Sequence, residues 1–215
     1  MEKIKSTLPN IFLSLTTICL LAGLALSASN KYTAGAIAAS KAAQLENAIK
    51  NVTPAFDNNP MADHYKIAVS GIDSIIVYPV KKGGQYVGCA IESFTKEGFS
   101  GLIRVLVGFD ADDKLVNYSV LEHQETPGLG SKMESWFRVN KNHQSIIGRD
   151  MTTGVLKVSK DGGDIDAITA STISSRAFLH AINIAYNTYK SNLDAVSSAT
   201  SSPSTTETII VDESK

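Results

Sequence analysis

Between Lys5 and Lys31 the chain carries no charge, and the 18 residues from Ile11 to Ala28 are almost wholly apolar. As a helix such a run spans roughly 27 Å, close to the hydrocarbon thickness of a bilayer. It predicts a transmembrane helix, with membrane lipid as its surroundings. Lys3 and Lys5 ahead of it predict a cytoplasmic N-terminus and a single pass through the inner (cytoplasmic) membrane. The bulk of the chain is then expected on the periplasmic, extracytoplasmic side. Ala25-Leu26-Ser27 offers small residues at the positions a signal peptidase reads, so a cleaved signal is the competing reading. Helix formers continue from Ala34 to Lys50 with Ile37, Leu45 and Ile49 at multiples of four, which favours an anchor whose helix leaves the membrane unbroken.

Beyond the anchor the chain is long enough for one folded domain. The formal charge of the 215-residue chain is -1, so it lacks the basic field that draws nucleic acid, and no nucleic-acid partner is expected. Its two cysteines, Cys19 and Cys89, have no His or second Cys at metal-ligand spacing, so no metal site is expected. The expected organisation is residues 1–30 as cytoplasmic tip and transmembrane helix, 31–60 as membrane-proximal helix and linker, 61–192 as the folded domain and 193–215 as a tail. The linker reading comes from the Pro- and Asn-rich stretch Asn51 to Pro60, and the serine- and threonine-rich tail is expected to be disordered.

Inside the folded part, Ser74 to Lys81 and Gln85 to Ser93 flank Gly83-Gly84 as a β-hairpin. Gly101 to Phe109 and Lys114 to Glu122 flank the acidic turn Asp110 to Asp113 as a second one. A further strand is expected at Gly154 to Ser159, before the Gly162-Gly163 turn. From Ser171 to about Tyr189 the apolar residues Ile173, Ala177, Ala181 and Ile184 recur at helical spacing, predicting a terminal helix packed on the sheet. The fold class is α+β, a small antiparallel sheet with packed helices behind one N-terminal transmembrane helix.

Three segments are richer in special residues than their structural roles require. Gly98-Phe99-Ser100-Gly101 opens a strand with two glycines, which permit positive φ and close backbone approach, beside an aromatic ring. Glu125-Thr126-Pro127-Gly128-Leu129-Gly130 is a constrained loop between a strand and the segment containing Trp136. Asp166-Ala167-Ile168-Thr169-Ala170-Ser171-Thr172-Ile173-Ser174-Ser175 surrounds a helix start with five hydroxyls and a carboxylate. Capping needs one or two such groups, whereas a helix N-terminus ringed with hydroxyls suits a phosphate. Nearby, His123 reads as a strand-end surface residue, Lys132 as a solvated charge and Trp136 as a core aromatic.

The order of these three segments behind one membrane helix resembles the G subunit of the Rnf-type ion-translocating electron transport complex, over about residues 1–190. It is also similar to the C subunit of the sodium-pumping NADH:quinone reductase, which shares an FMN-binding domain. The family signature is Ser-Gly-Ala-Thr with a hydroxyl two positions later, and its threonine esterifies the FMN phosphate. Here Thr169-Ala170-Ser171-Thr172 matches, with Ser174 as the later hydroxyl, while Ala170 and Ser171 replace the glycine and the alanine.

The resemblance implies a membrane-anchored flavoprotein subunit of a multi-subunit oxidoreductase, not catalytic alone, in a complex linking ferredoxin and NAD to ion translocation. It implies covalent FMN on Thr172, with Thr169, Ser171, Ser174, Ser175, Gly98, Phe99, Ser100, Gly101, Glu125, Thr126, Gly128, Leu129 and Gly130 around the cofactor. Expected partners are the other membrane subunits of an Rnf-type complex and a flavin transferase that attaches FMN. The alternatives are the quinone-reductase C subunit and a non-redox, membrane-anchored anion-binding module.

Overall fold

The computed structural model describes residues 7–69 and 72–200. The chain divides into two compact units, Met1–Glu46 and Asn47–Lys215. Helix α1, Leu8–Val52, supplies the described part of the first unit and is long and apolar enough to cross a membrane. Its large apolar side chains from Leu8 to Leu26 are exposed, as expected of a helix whose solvent is lipid.

The second unit is built on five antiparallel strands, β1 (Tyr65–Val69), β2 (Ile72–Lys82), β3 (Gln85–Gly98), β4 (Gly101–Asp110) and β5 (Leu115–His123), paired in chain order. The four expected strands are present, and β1 is an addition. Of its five residues only Ile67 is buried, too short an alternation to stand out in the sequence. Helix α2, Met133–Trp136, and helix α3, Thr172–Thr200, complete the unit.

Alternating side chains give the sheet two faces. Val105, Val107 and Phe109 of β4 join Ile91 of β3 in the main core, beneath Phe178, Ala181, Ile182 and Ala185 of α3. On the opposite face the last turn of α1 packs so closely that a Cβ on Gly108 would lie 1.8 Å from the Val52 carbonyl oxygen. At the core's centre the Phe178 ring stacks on Phe137 and meets the edge of Tyr118, each pair at 4.9 Å. Such aromatic pairs add about 0.5–1.5 kcal/mol beyond area burial. The Tyr118 hydroxyl avoids a desolvation penalty by donating to the Met133 carbonyl at 2.7 Å.

Three expectations are corrected. Gly154 to Ser159 joins no sheet: the Asn183 side chain takes the Leu156 N–H and returns a bond to the Leu156 carbonyl, both at 2.9 Å, in place of a neighbouring strand. Only an isolated bridge between Val158 and Ile165 remains of a ladder. The buried stripe of α3 runs through Ala177, Phe178, Ala181, Ile182, Ala185, Tyr186 and Tyr189, whereas Ile173 is 49% exposed. Finally, α3 continues to Thr200, so residues 193–200 are helical, and the remainder of the expected tail lies outside the described residues.

Candidate functional site

Hairpin β3–β4 closes where Gly98 pairs with Gly101, leaving Phe99 at its tip, 69% exposed. At the end of β5 the chain enters the 125–130 loop, and the 3₁₀ turn Gly130–Lys132 leads into α2. The start of α3 is the third component. These three segments, widely spaced in sequence, surround one cavity of about 340 Å³.

Glu125 ties them together. Its carboxylate is 4% exposed; one oxygen accepts the Ser100 N–H at 3.0 Å and the other accepts the Ser174 hydroxyl at 2.6 Å. Ser171 Oγ donates in turn to Ser174 Oγ at 2.9 Å. A buried carboxylate needs such donors, and each bond to a charged acceptor is worth about 1.5–3 kcal/mol. The backbone N–H of Glu125 donates to His123 Nδ1 at 3.2 Å, which gives that histidine a positioning role. Two glycines make room for the carboxylate: a Cβ on Gly98 would lie 2.6 Å from Glu125 Oε1, and one on Gly130 would lie 2.5 Å from Oε2. Both glycines therefore crowd Glu125 itself, a use of glycine the sequence motifs did not distinguish from ligand contact.

Among the expected site residues, Phe99, Glu125, Thr126, Leu129, Gly130, Ser171, Thr172 and Ser174 line the cavity. Gly98, Ser100, Gly101, Gly128, Thr169 and Ser175 lie outside its lining. Gly98 and Ser100 act through Glu125, and Gly128 holds a φ of 76° while donating its N–H to Ser131 Oγ. Ser175 secures the helix start, accepting the Ile168 N–H and donating to the Ser171 carbonyl, both at 2.9 Å. Thr169 is exposed. Asp166 does not cap the helix: its carboxylate accepts the His143 N–H at 3.3 Å, and its carbonyl accepts the Trp136 indole N–H at 2.9 Å.

The hydroxyls of the helix start thus divide by burial. Ser171, Ser174 and Ser175 are buried and bonded internally, while Thr172, the first residue of α3, is half-buried in the cavity wall. Its Oγ1 accepts from Lys160 Nζ at 3.3 Å. Lys160 carried no motif signal, since it lies twelve residues upstream, outside the hydroxyl-rich segment. Two further wall residues were also outside the expectation, the exposed Ile173 and Ala170, whose φ is 61°.

Residues 98–187 match the family model described as FMN-binding domain. The chain is 35% identical over 161 residues to the G subunit of the ion-translocating oxidoreductase complex of Yersinia pestis, covering 71% of this chain and 76% of that one. The chain belongs to this G-subunit family. The protein of the same name from Photorhabdus laumondii is 33% identical over 161 residues, with the same 71% and 76% coverage. That from Aliivibrio fischeri is 35% identical over 130 residues, 59% of this chain and 61% of the relative.

The cavity lining of this G-subunit family member combines apolar and anion-favouring groups that fit FMN. Phe99, Leu129 and Ile173 present apolar surface, 69%, 40% and 49% exposed, suited to a planar aromatic ring system. Thr172 is also in the lining, with Lys160 Nζ 3.3 Å from its hydroxyl, and it opens α3, whose first-turn N–H groups have no acceptor within the helix and favour an anion. No cluster of His, Cys, Asp and Glu suited to a metal occurs among the described residues.

Proposed function

We propose that this protein is a membrane-anchored electron-carrying subunit of an ion-translocating oxidoreductase complex, and that its FMN is esterified through the phosphate to Thr172. The observation that carries the reading is the division of hydroxyls at the start of α3. Thr172 Oγ1 lines the cavity with a cation beside it, while the neighbouring Ser171 hydroxyl, the competing nucleophile by sequence, is 8% exposed and bonded to Ser174. An attacking oxygen must reach a phosphorus held in the cavity; Ser171 also lines the cavity, but its hydroxyl is nearly buried and engaged with Ser174, whereas Thr172 is more open.

Bound FMN supplies one- and two-electron redox chemistry. The chain's own residues bind, orient and shield. Phe99, Leu129 and Ile173 offer the apolar walls; the 125–130 loop and the Gly98-to-Gly101 hairpin tip are held in register by Glu125; Ser171, Ser174 and Ser175 fix the first turn of α3 so that Thr172 faces the cavity. Covalent attachment prevents loss of the cofactor on the extracytoplasmic side, where this reading places the domain. Helix α1 anchors it in lipid, with the N-terminus cytoplasmic. The other membrane subunits of an Rnf-type complex, which couples ferredoxin and NAD to ion movement, are its electron-transfer partners. A flavin transferase loads it.

The test uses protein purified from native membranes. A denaturing gel shows flavin fluorescence in this band, Thr172→Ala abolishes it, and the peptide containing Thr172 carries the mass of FMN minus water. Fluorescence retained in Thr172→Ala rejects the assignment. Colourless wild-type protein from those membranes favours the anion-binding alternative.

A further inference from the structure

Lys160 reaches Thr172 from a turn that the structure fixes from several sides. It sits in the 3₁₀ turn Ser159–Asp161, whose preceding residue Val158 is buried and bridged to Ile165. Directly after Lys160, the Asp161 carboxylate accepts two bonds from the Arg176 guanidinium, at 2.7 and 2.6 Å. Arg176 lies one turn into α3 from Thr172, so the ion pair fastens the lysine-bearing turn to the helix that carries the hydroxyl. Beyond it, Gly163 approaches Lys157 so closely that a Cβ would lie 2.1 Å from the Lys157 carbonyl oxygen. A surface lysine on a free turn samples many rotamers in water. Here the backbone beneath it is held, and the ammonium lies 3.3 Å from the Thr172 hydroxyl oxygen.

Building on the reading that Thr172 carries the FMN phosphate, we propose that Lys160 is the phosphate-binding cation of the attachment site. Attachment is redox-neutral. Thr172 Oγ1 forms a bond to the flavin-side phosphorus of flavin adenine dinucleotide, the pyrophosphate P–O bond breaks, AMP leaves, and the hydroxyl proton passes to a base of the transferase. Lys160 donates to Oγ1, so the hydroxyl's own proton points away from the ammonium and toward an incoming base. Once the ester forms, the phosphodiester keeps one negative charge, and its free oxygens lie close to the atom Lys160 already contacts. The helix N-terminus supplies about half a positive charge there, and Lys160 supplies a full one.

The experiment measures the initial rate of flavin transfer to the full-length, detergent-solubilised protein, using flavin adenine dinucleotide, a purified flavin transferase and in-gel fluorescence. Lys160→Gln is expected to slow transfer about tenfold, the scale of one charge-assisted hydrogen bond lost from a transition state. Lys160→Arg restores most of that rate, because the charge returns on a side chain of similar reach. The melting temperature of Lys160→Gln stays within about 2 °C of wild type, since the lysine is exposed. Peptide mass spectrometry still finds the adduct on Thr172. Transfer to Lys160→Gln at the wild-type rate, or an Arg variant no better than Gln, overturns the proposal while leaving Thr172 as the attachment point. Flavin retained on Thr172→Ala overturns the underlying reading instead.

Discussion

Replacing Ala170 by glycine should make the protein more stable, although it removes atoms and adds no contact. Ala170 holds a φ of 61°, the left-handed region in which an L-residue suffers a clash between its Cβ and the backbone. That conformation costs about 1–2 kcal/mol, and glycine escapes it. Glycine also widens the unfolded ensemble, which returns about 0.4–1 kcal/mol of the gain. The Ala170 methyl is exposed at the cavity wall, so its loss opens no void in the core. The net expectation is a stabilisation of about 0.5–1 kcal/mol, which for a domain of this size raises the melting temperature by about 1–4 °C. Gly128→Ala supplies the opposite control. Gly128 has a φ of 76° with no heavy atom within 4 Å of the position a Cβ would take, so its substitution isolates the conformational penalty. Thermal unfolding followed by circular dichroism, on detergent-solubilised full-length protein without flavin, reads both. A melting temperature that falls in Ala170→Gly while also falling in Gly128→Ala would refute the reasoning, because the alanine methyl would then be making a contact worth more than the strain.

Glu125→Gln should weaken the site as well as the fold: an amide cannot accept from both Ser100 and Ser174 with its two ends, and one buried donor is left unpaired at a cost of about 1–3 kcal/mol. A lowered melting temperature together with slower flavin attachment is the expected pair of readings, and an unchanged melting temperature would show that Glu125 does not hold the three segments. Cys89 is fully buried, and burial pushes its thiol from 9.0 up to about 11. In a Cys19→Ser background it should resist alkylation at pH 8.5 until the protein is unfolded; labelling of the folded protein at the rate of a free thiol would contradict this. Because the folded state holds this proton more tightly than the unfolded one, the contribution to stability is complete below pH 9 and is lost as pH rises from about 9 to 11.

The parts of the fold that were legible in the sequence are those whose signal is local. An uncharged apolar run followed by helix formers marked α1, and Gly83-Gly84 and the Asp110-to-Asp113 turn marked two hairpins. Non-local partners decided the rest. Residues 154–159 have the composition of a strand, but a side-chain amide from α3 occupies the backbone groups that a strand would use. The helical stripe chosen by spacing included Ile173, which instead lines the cavity, because in the first turn of α3 the buried positions are taken by Ser174 and Ser175, bonded to Glu125 and to the Ser171 carbonyl. Lys160 was invisible for the same reason, since it meets Thr172 only when its turn is folded against α3, where Asp161 also pairs with Arg176, fifteen residues on.

The candidate site shows how three short motifs can each be ambiguous and yet define one place. Gly98, Gly130 and Ser174 would individually be read as a turn glycine, a loop glycine and a helix-start hydroxyl. Each is within contact distance of the Glu125 carboxylate, either by a hydrogen bond or by the space a missing Cβ leaves. A buried carboxylate is costly unless its oxygens are satisfied, so the hairpin tip, the loop and the helix start are held to one mutual geometry. The same network decides which hydroxyl is accessible. Ser174 donates to Glu125 and Ser171 to Ser174, so among the helix-start hydroxyls that line the cavity Thr172 is the half-buried one, with an ammonium at its side. Alanine and serine at positions 170 and 171 therefore act in different ways: the first adds backbone strain at the cavity wall, and the second adds a nearly buried hydroxyl whose proton is committed to Ser174.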